Sequence, residues 1–185
     1  DGRGNICPVT IIMPTLAMEA REKTEKEGNY VFISNGISGC DNDCYYEENI
    51  KNFMELLDKK IHEAKDMLIE RFEWICSQNP SSAKFMYENN VMAGYVPEEG
   101  IRSALKHGTL AIGQLGLAET LQILIGTNQT TEIGMELAKK IEALFKERCA
   151  EFKKQYSLNF GVYYTPAENL CYTAMKKFKK QYGII

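Results

Sequence analysis

Between residues 50 and 75 apolar side chains recur at every third or fourth position: Ile50, Phe53, Leu57, Ile61, Ala64, Leu68, Phe72 and Ile75. That spacing draws one apolar stripe along a long helix. Pro80, in "SQNPSS", predicts where it stops. A second stripe, Ile133, Leu137, Ile141, Leu144, Cys149 and Phe152, predicts a helix from about Thr131 to Gln155. A third, Leu170, Ala174 and Phe178, predicts a last helix with Lys176, Lys177, Lys179 and Lys180 along its flank.

Other runs read as strands. "VTIIMP" (9–14) is short, apolar and β-branched, and "YVFIS" (30–34) and "LNFGVYY" (158–164) are similar. "PTLAMEAREKTEKEG" predicts a helix ending near Gly28, and "NGISGCDND" (35–43) reads as loop from its Gly, Asn and Asp content. "VPEEGIRSALKHG" predicts a short helix with Pro97 near its start and Gly108 just past its end. In "TLAIGQLGLAETLQILIG" the first half suits a strand, where Gly113 and Gly116 permit close backbone approach, and the second half suits a helix stopping at Gly126. Strands alternate with helices and helix dominates, so the fold class is helix-rich α/β.

Composition narrows the function. A chain of 185 residues with 44% hydrophobic and 25% charged residues suits one soluble core. A net charge of -3 and a pI near 5.6 imply no broad basic face, which argues against duplex nucleic acid as partner. No apolar run approaches the ~20 residues that cross a bilayer, so no membrane role is expected; the cysteine pattern, with no CxxC, leaves a reducing cytoplasm as the default setting. The first residues, "DGRGNICPVT", lack signal-peptide order, and both ends read as cuts inside a longer protein. Cys76, Cys149 and Cys171 lie in helical patterns and are expected to act as small buried hydrophobes. Cys40 and Cys44 could be a metal pair, a labile disulfide or neither; two ligands do not make a zinc site, and none is assigned. Lone His62 reads as surface or satisfied core.

"YYTPAENLCY" carries the most specific local signal. Thr165 fits an N-cap, Pro166 the first helical position and Glu168 the third, which completes a capping box. The same turn could hold a phosphate: the amides of Ala167, Glu168 and Asn169 and the Thr165 hydroxyl lie at a helix N-terminus after a strand. Glu168 opposes this with its negative charge, and Pro166 removes one donor. Tyr164, just before the turn, could face a substrate or equally belong to the strand core.

Three stretches, "GRGNICPVTIIMPTLAMEA", "HGTLAIGQLGLAETLQILIG" and "GVYYTPAENLCY", occur in this order and resemble the anaerobic, class III ribonucleoside-triphosphate reductases, a glycyl radical family. The resemblance covers nearly the whole chain and is weakest over residues 21–45. It implies that residues 1–185 are a single segment of a larger, ten-stranded α/β barrel. It implies that "TPAEN", Thr165 to Asn169, is the substrate-phosphate loop. Asn5, in "GRGN", then resembles the active-site asparagine beside the ribose and formate; otherwise it is a turn residue after Gly4. Cys7 is not taken as the thiyl cysteine, which the resemblance places upstream of "GRGN", with the radical glycine downstream of this chain.

For the whole enzyme the resemblance implies a glycyl radical, zinc, formate as reductant, an iron–sulfur S-adenosylmethionine activase and a homodimer. No cofactor is expected within this segment, and the segment alone is expected to be inactive. The competing readings are a stand-alone nucleotide- or phosphate-binding module and a non-catalytic helical scaffold.

Overall fold

The computed structural model describes residues 4–28, 31–33, 36–38, 42–89, 91–165 and 168–184. The first strand, β1 (Asn5–Ile12), begins four residues before the expected apolar run, and so takes in Asn5. Helix α1 (Met13–Gly28) follows without a break, with Pro14 in its first turn, where a missing N–H costs nothing. Then come β2 (Val31–Ile33), β3 (Gly36–Ser38) and α2 (Asn42–Cys76). The loop expected over 35–43 is therefore wrong in part. β2 and β3 pair antiparallel with Phe32 opposite Ile37, and this backbone pairing outweighs the loop-like composition.

A 3-10 turn (Pro80–Ala83) leads into α3 (Lys84–Glu88), and a second (Pro97–Glu99) precedes α4 (Ile101–Leu105). The single helix expected here is split because Gly100, at φ 68°, leaves helical geometry. The chain continues with β4 (Thr109–Leu115), α5 (Leu117–Ile125), α6 (Glu132–Tyr156), β5 (Asn159–Tyr164) and α7 (Glu168–Tyr182).

The sheet has the order β1-β4-β5. The Thr109 amide donates to the Gly4 carbonyl at the start of β1 and β4, and the Asn159 side chain donates to the His107 carbonyl at the start of β5. Starts meeting starts make the strands parallel, and helices supply the crossovers.

The chain gathers into two compact units. One comprises the chain up to Thr10, Ile61–Gly113 and Phe145–Tyr163; the other comprises Ile11–Lys60, Gln114–Leu144 and Tyr164 onward. In the first unit Ala64, Leu68 and Phe72 of α2 are buried as the stripe predicts, with Phe145, Cys149 and Phe152 of α6. Phe160 stacks edge-on against Phe152, and exposed His62 does the same. Tyr87, Ile101 and Ala104 form a smaller apolar cluster with Met92, Tyr95 and Leu105 around it. Gly108 follows α4, its amide donating to the Leu105 carbonyl, and a Cβ there would lie 2.5 Å from the Ile6 side chain, which would have to shift to admit one.

In the second unit α1 packs on α5, burying Leu16, Ala17, Ala20, Leu121 and Leu124. Gly116 stands in the left-handed region at φ 82°, and a Cβ there would lie 2.4 Å from the Pro14 ring. The expected close approach at Gly116 is thus observed. Leu137 and Ile141 are buried, but Ile133 is 68% exposed. Within α6 the buried run is Gly134, Leu137, Ala138, Ile141 and, in the first unit, Phe145; Leu144 is only half-buried. The stripe was therefore misplaced at two points, because Leu144 and Phe145 are equally apolar in sequence and periodicity alone does not choose between them.

Candidate functional site

Asn5 stands exposed at the head of β1. With Gly4, Ile6, Tyr87, Met92 and Gly108 it lines a cavity of about 620 Å³ in the first unit. Asn5 is a strand residue, not the turn residue that composition also allowed, and its amide adds donors and an acceptor without charge. Cys7, two residues on along β1, is buried, and burial pushes its thiol up against the opposing charge of Arg71. A thiol held protonated in this way is a poor nucleophile.

The other predicted residues lie in the second unit, at the end of β5. Tyr164 is its last residue, half-buried Thr165 follows, and α7 begins at Glu168 with Asn169 exposed on its first turn. Pro166 and Ala167, expected as the first helical positions, lie outside the described residues. Tyr164 is not core: it is 67% exposed. Its hydroxyl donates to Glu142 Oε2 at 2.8 Å, and this bond, with a little burial, raises its pKa above the ordinary tyrosine value. The other carboxylate oxygen of Glu142 accepts from Gln114 Nε2 at 2.6 Å. Tyr163 projects to the opposite face of β5, where its hydroxyl lies 3.3 Å from Thr10 Oγ1.

Gln114 and Glu142 escaped the sequence reading. A signal was available for one of them: Gln114 is the lone amide in the buried strand "TLAIGQL", and a buried amide requires a polar partner. Nothing in the sequence pointed to Glu142 as that partner.

The described cysteines, Cys7, Cys76, Cys149 and Cys171, are free. Burial pushes the Cys149 thiol up to about 11, as suits a structural cysteine. Cys171 is exposed, contrary to expectation, because it lies one position off the Leu170–Ala174–Phe178 stripe, which is itself only half-covered. Cys40 and the Cys44 side chain lie outside the described residues. Among the described residues no group of three His, Cys, Asp or Glu side chains could hold a metal ion. No helix among them is long and apolar enough to cross a membrane.

Parallel strands joined by helical crossovers, with β5 ending at Tyr164 and α7 beginning at Glu168, define an α/β protein of the kind that gathers ligands at strand ends. Within that class the chain belongs to the anaerobic ribonucleoside-triphosphate reductase family, whose sequence profile it matches over residues 1–185. It is 25% identical to the anaerobic ribonucleoside-triphosphate reductase of Enterobacteria phage T4, over all of this chain and 26% of that protein. Identity to the Haemophilus influenzae protein of the same name is 22%, over all of this chain and 23% of that protein. The chain thus spans about a quarter of the length of these relatives. The anaerobic ribonucleotide reductase of Thermotoga maritima, solved with glycerol in its active site, shares the fold at a TM-score of 0.68 and 18% identity, over 98% of this chain and 25% of that one.

Proposed function

We propose that this chain is a single segment of the ten-stranded catalytic barrel of an anaerobic ribonucleotide reductase, reducing ribonucleoside triphosphates to deoxyribonucleotides by glycyl and thiyl radical chemistry. The family match over the whole chain carries this reading. Thr165 to Asn169 hold the substrate phosphates: the Ala167, Glu168 and Asn169 amides and the Thr165 hydroxyl are the ligands. Supporting this, Thr165 stands between the last residue of β5 and the first of a 15-residue helix, and the start of a helix offers N–H groups that have no intrahelical partner, at the positive end of the dipole.

Asn5 serves the ribose and formate end, donating its amide to a 2′ oxygen or a carboxylate without placing a charge there. The radical pair supplies hydrogen-atom abstraction, and the residues named here bind and orient. The radical glycine, the thiyl cysteine, zinc, contact with the iron–sulfur activase and dimerisation are assigned to the remainder of a cytoplasmic enzyme, so residues 1–185 alone do not turn over.

Thr165→Asp tests the phosphate loop, because aspartate keeps the N-cap but adds a negative charge. In the natural protein the KM for a ribonucleoside triphosphate should rise at least tenfold, while the melting temperature changes little. An unchanged KM would remove the loop assignment. Tight triphosphate binding by residues 1–185 alone would favour a stand-alone module instead.

A further inference from the structure

We propose that Glu142 is a positioning residue for the Thr165–Asn169 turn, clamping Tyr164, which leads into the turn, to Gln114 on β4. The inference rests on the phosphate reading above and extends it.

Both oxygens of the Glu142 carboxylate are engaged, by Tyr164 Oη at 2.8 Å and by Gln114 Nε2 at 2.6 Å. A carboxylate held by two donors has one orientation. Gln114 is only 4% exposed. Its amide can face only one way, because the reversed amide would set its carbonyl oxygen against the carboxylate. In that orientation Gln114 Oε1 is buried without a hydrogen-bond partner among the described residues. Packing alone does not call for such a pair: apolar residues at both 114 and 142 would fill the space and leave no buried amide unpaired.

Tyr164 shows the converse. Its ring is largely in solvent, so packing does not orient it; its hydroxyl bond to Glu142 does. One residue further on, at Thr165, the proposed phosphate loop begins. A carboxylate on α6 thus ties the end of β5 to its neighbour β4 just before the proposed phosphate ligands. Because both oxygens accept hydrogen bonds, the negative charge of Glu142 is directed into them.

The test compares Glu142→Ala, Glu142→Gln and Tyr164→Phe in the natural protein. Glu142→Ala and Tyr164→Phe should each raise the KM for the ribonucleoside triphosphate about fivefold, as loss of one net hydrogen bond implies. The kcat should stay within about twofold, since binding and not the chemical step is affected. The double variant should be no worse than either single one, because the two residues act as one link. Glu142→Gln should restore KM. Its carbonyl can accept from Gln114 Nε2 as the carboxylate does, and its new N–H can donate to the Tyr164 hydroxyl, so both links are kept.

Lys65→Ala, in the first unit, controls for loss of stability: it should lower the melting temperature and leave KM alone. A wild-type KM in Glu142→Ala and Tyr164→Phe, or additive effects of the two, would overturn the positioning role. If Thr165→Asp still raises KM, the phosphate loop survives that result; if Thr165→Asp is also silent, the loop assignment itself has failed.

Discussion

Lys65 and Gln114 are both buried polar side chains, one in each unit, and their surroundings differ. Lys65 donates to the Tyr156 hydroxyl at 3.2 Å, pairs with Asp66 and lies over the Phe152 and Tyr156 rings at 5.7 and 5.2 Å. Its charge is served on several sides, and its stem covers apolar surface. Among the described residues the Gln114 side chain bonds to Glu142 and its carbonyl is unmet. A buried polar group with all its partners needs no explanation beyond the fold. One kept half-satisfied, and linked to an exposed tyrosine at the mouth of a proposed ligand loop, points to selection for something other than stability.

Three experiments sharpen the contrast. The largest effect is expected from Gln114→Glu, which sets a second carboxylate against Glu142. One of the pair must then hold a proton to fold, so the variant should lose about 3 kcal/mol or more at neutral pH. Its folded-state pKa is raised, so the loss should shrink as pH falls toward 5 and grow as pH rises. Melting temperatures at pH 5 and pH 8 would show this, and equal losses would mean that the carboxylates do not meet.

A smaller effect is expected from Lys65→Ala, about 2 kcal/mol from lost stem packing and lost bonds, read by chemical denaturation. The smallest is spectroscopic. The hydrogen bond to Glu142 favours the protonated phenol of Tyr164. That contribution to stability is fully present below the ordinary tyrosine pKa and is lost as pH rises through the raised value. The phenolate absorbance of Tyr164, assigned by difference from Tyr164→Phe, should therefore appear at higher pH in the wild type than in Glu142→Ala.

Much of the helical architecture was legible because it rests on local periodicity. Phe53, Leu57, Ile61, Ala64, Leu68 and Phe72 are all buried in α2, as their spacing requires. Errors arose where two local readings were equally good, as at Leu144 and Phe145, or where a partner strand decided the matter, as at β3. Gly134 shows a further limit. Its lack of a Cβ lets the Asn128 carbonyl lie against the first turn of α6, with the Thr131 hydroxyl accepting from the Gly134 amide. A glycine in a helical pattern reads only as a weak point until that neighbour is known.

The amino-acid sequence by itself determined the helix-rich α/β class, the long amphipathic helices, the strand before Thr165 and the helix after it, and the family. These depend on side-chain order over a few residues or on motifs kept in succession. Only the tertiary structure decided that Gln114, Glu142 and Tyr164 meet, across separations of 28 and 22 residues. No local rule couples an amide on one strand, a carboxylate on a helix and a phenol on the next strand. Their meeting follows from the strand order β1-β4-β5 and the rotation of α6 about its axis, which its buried residues set through packing.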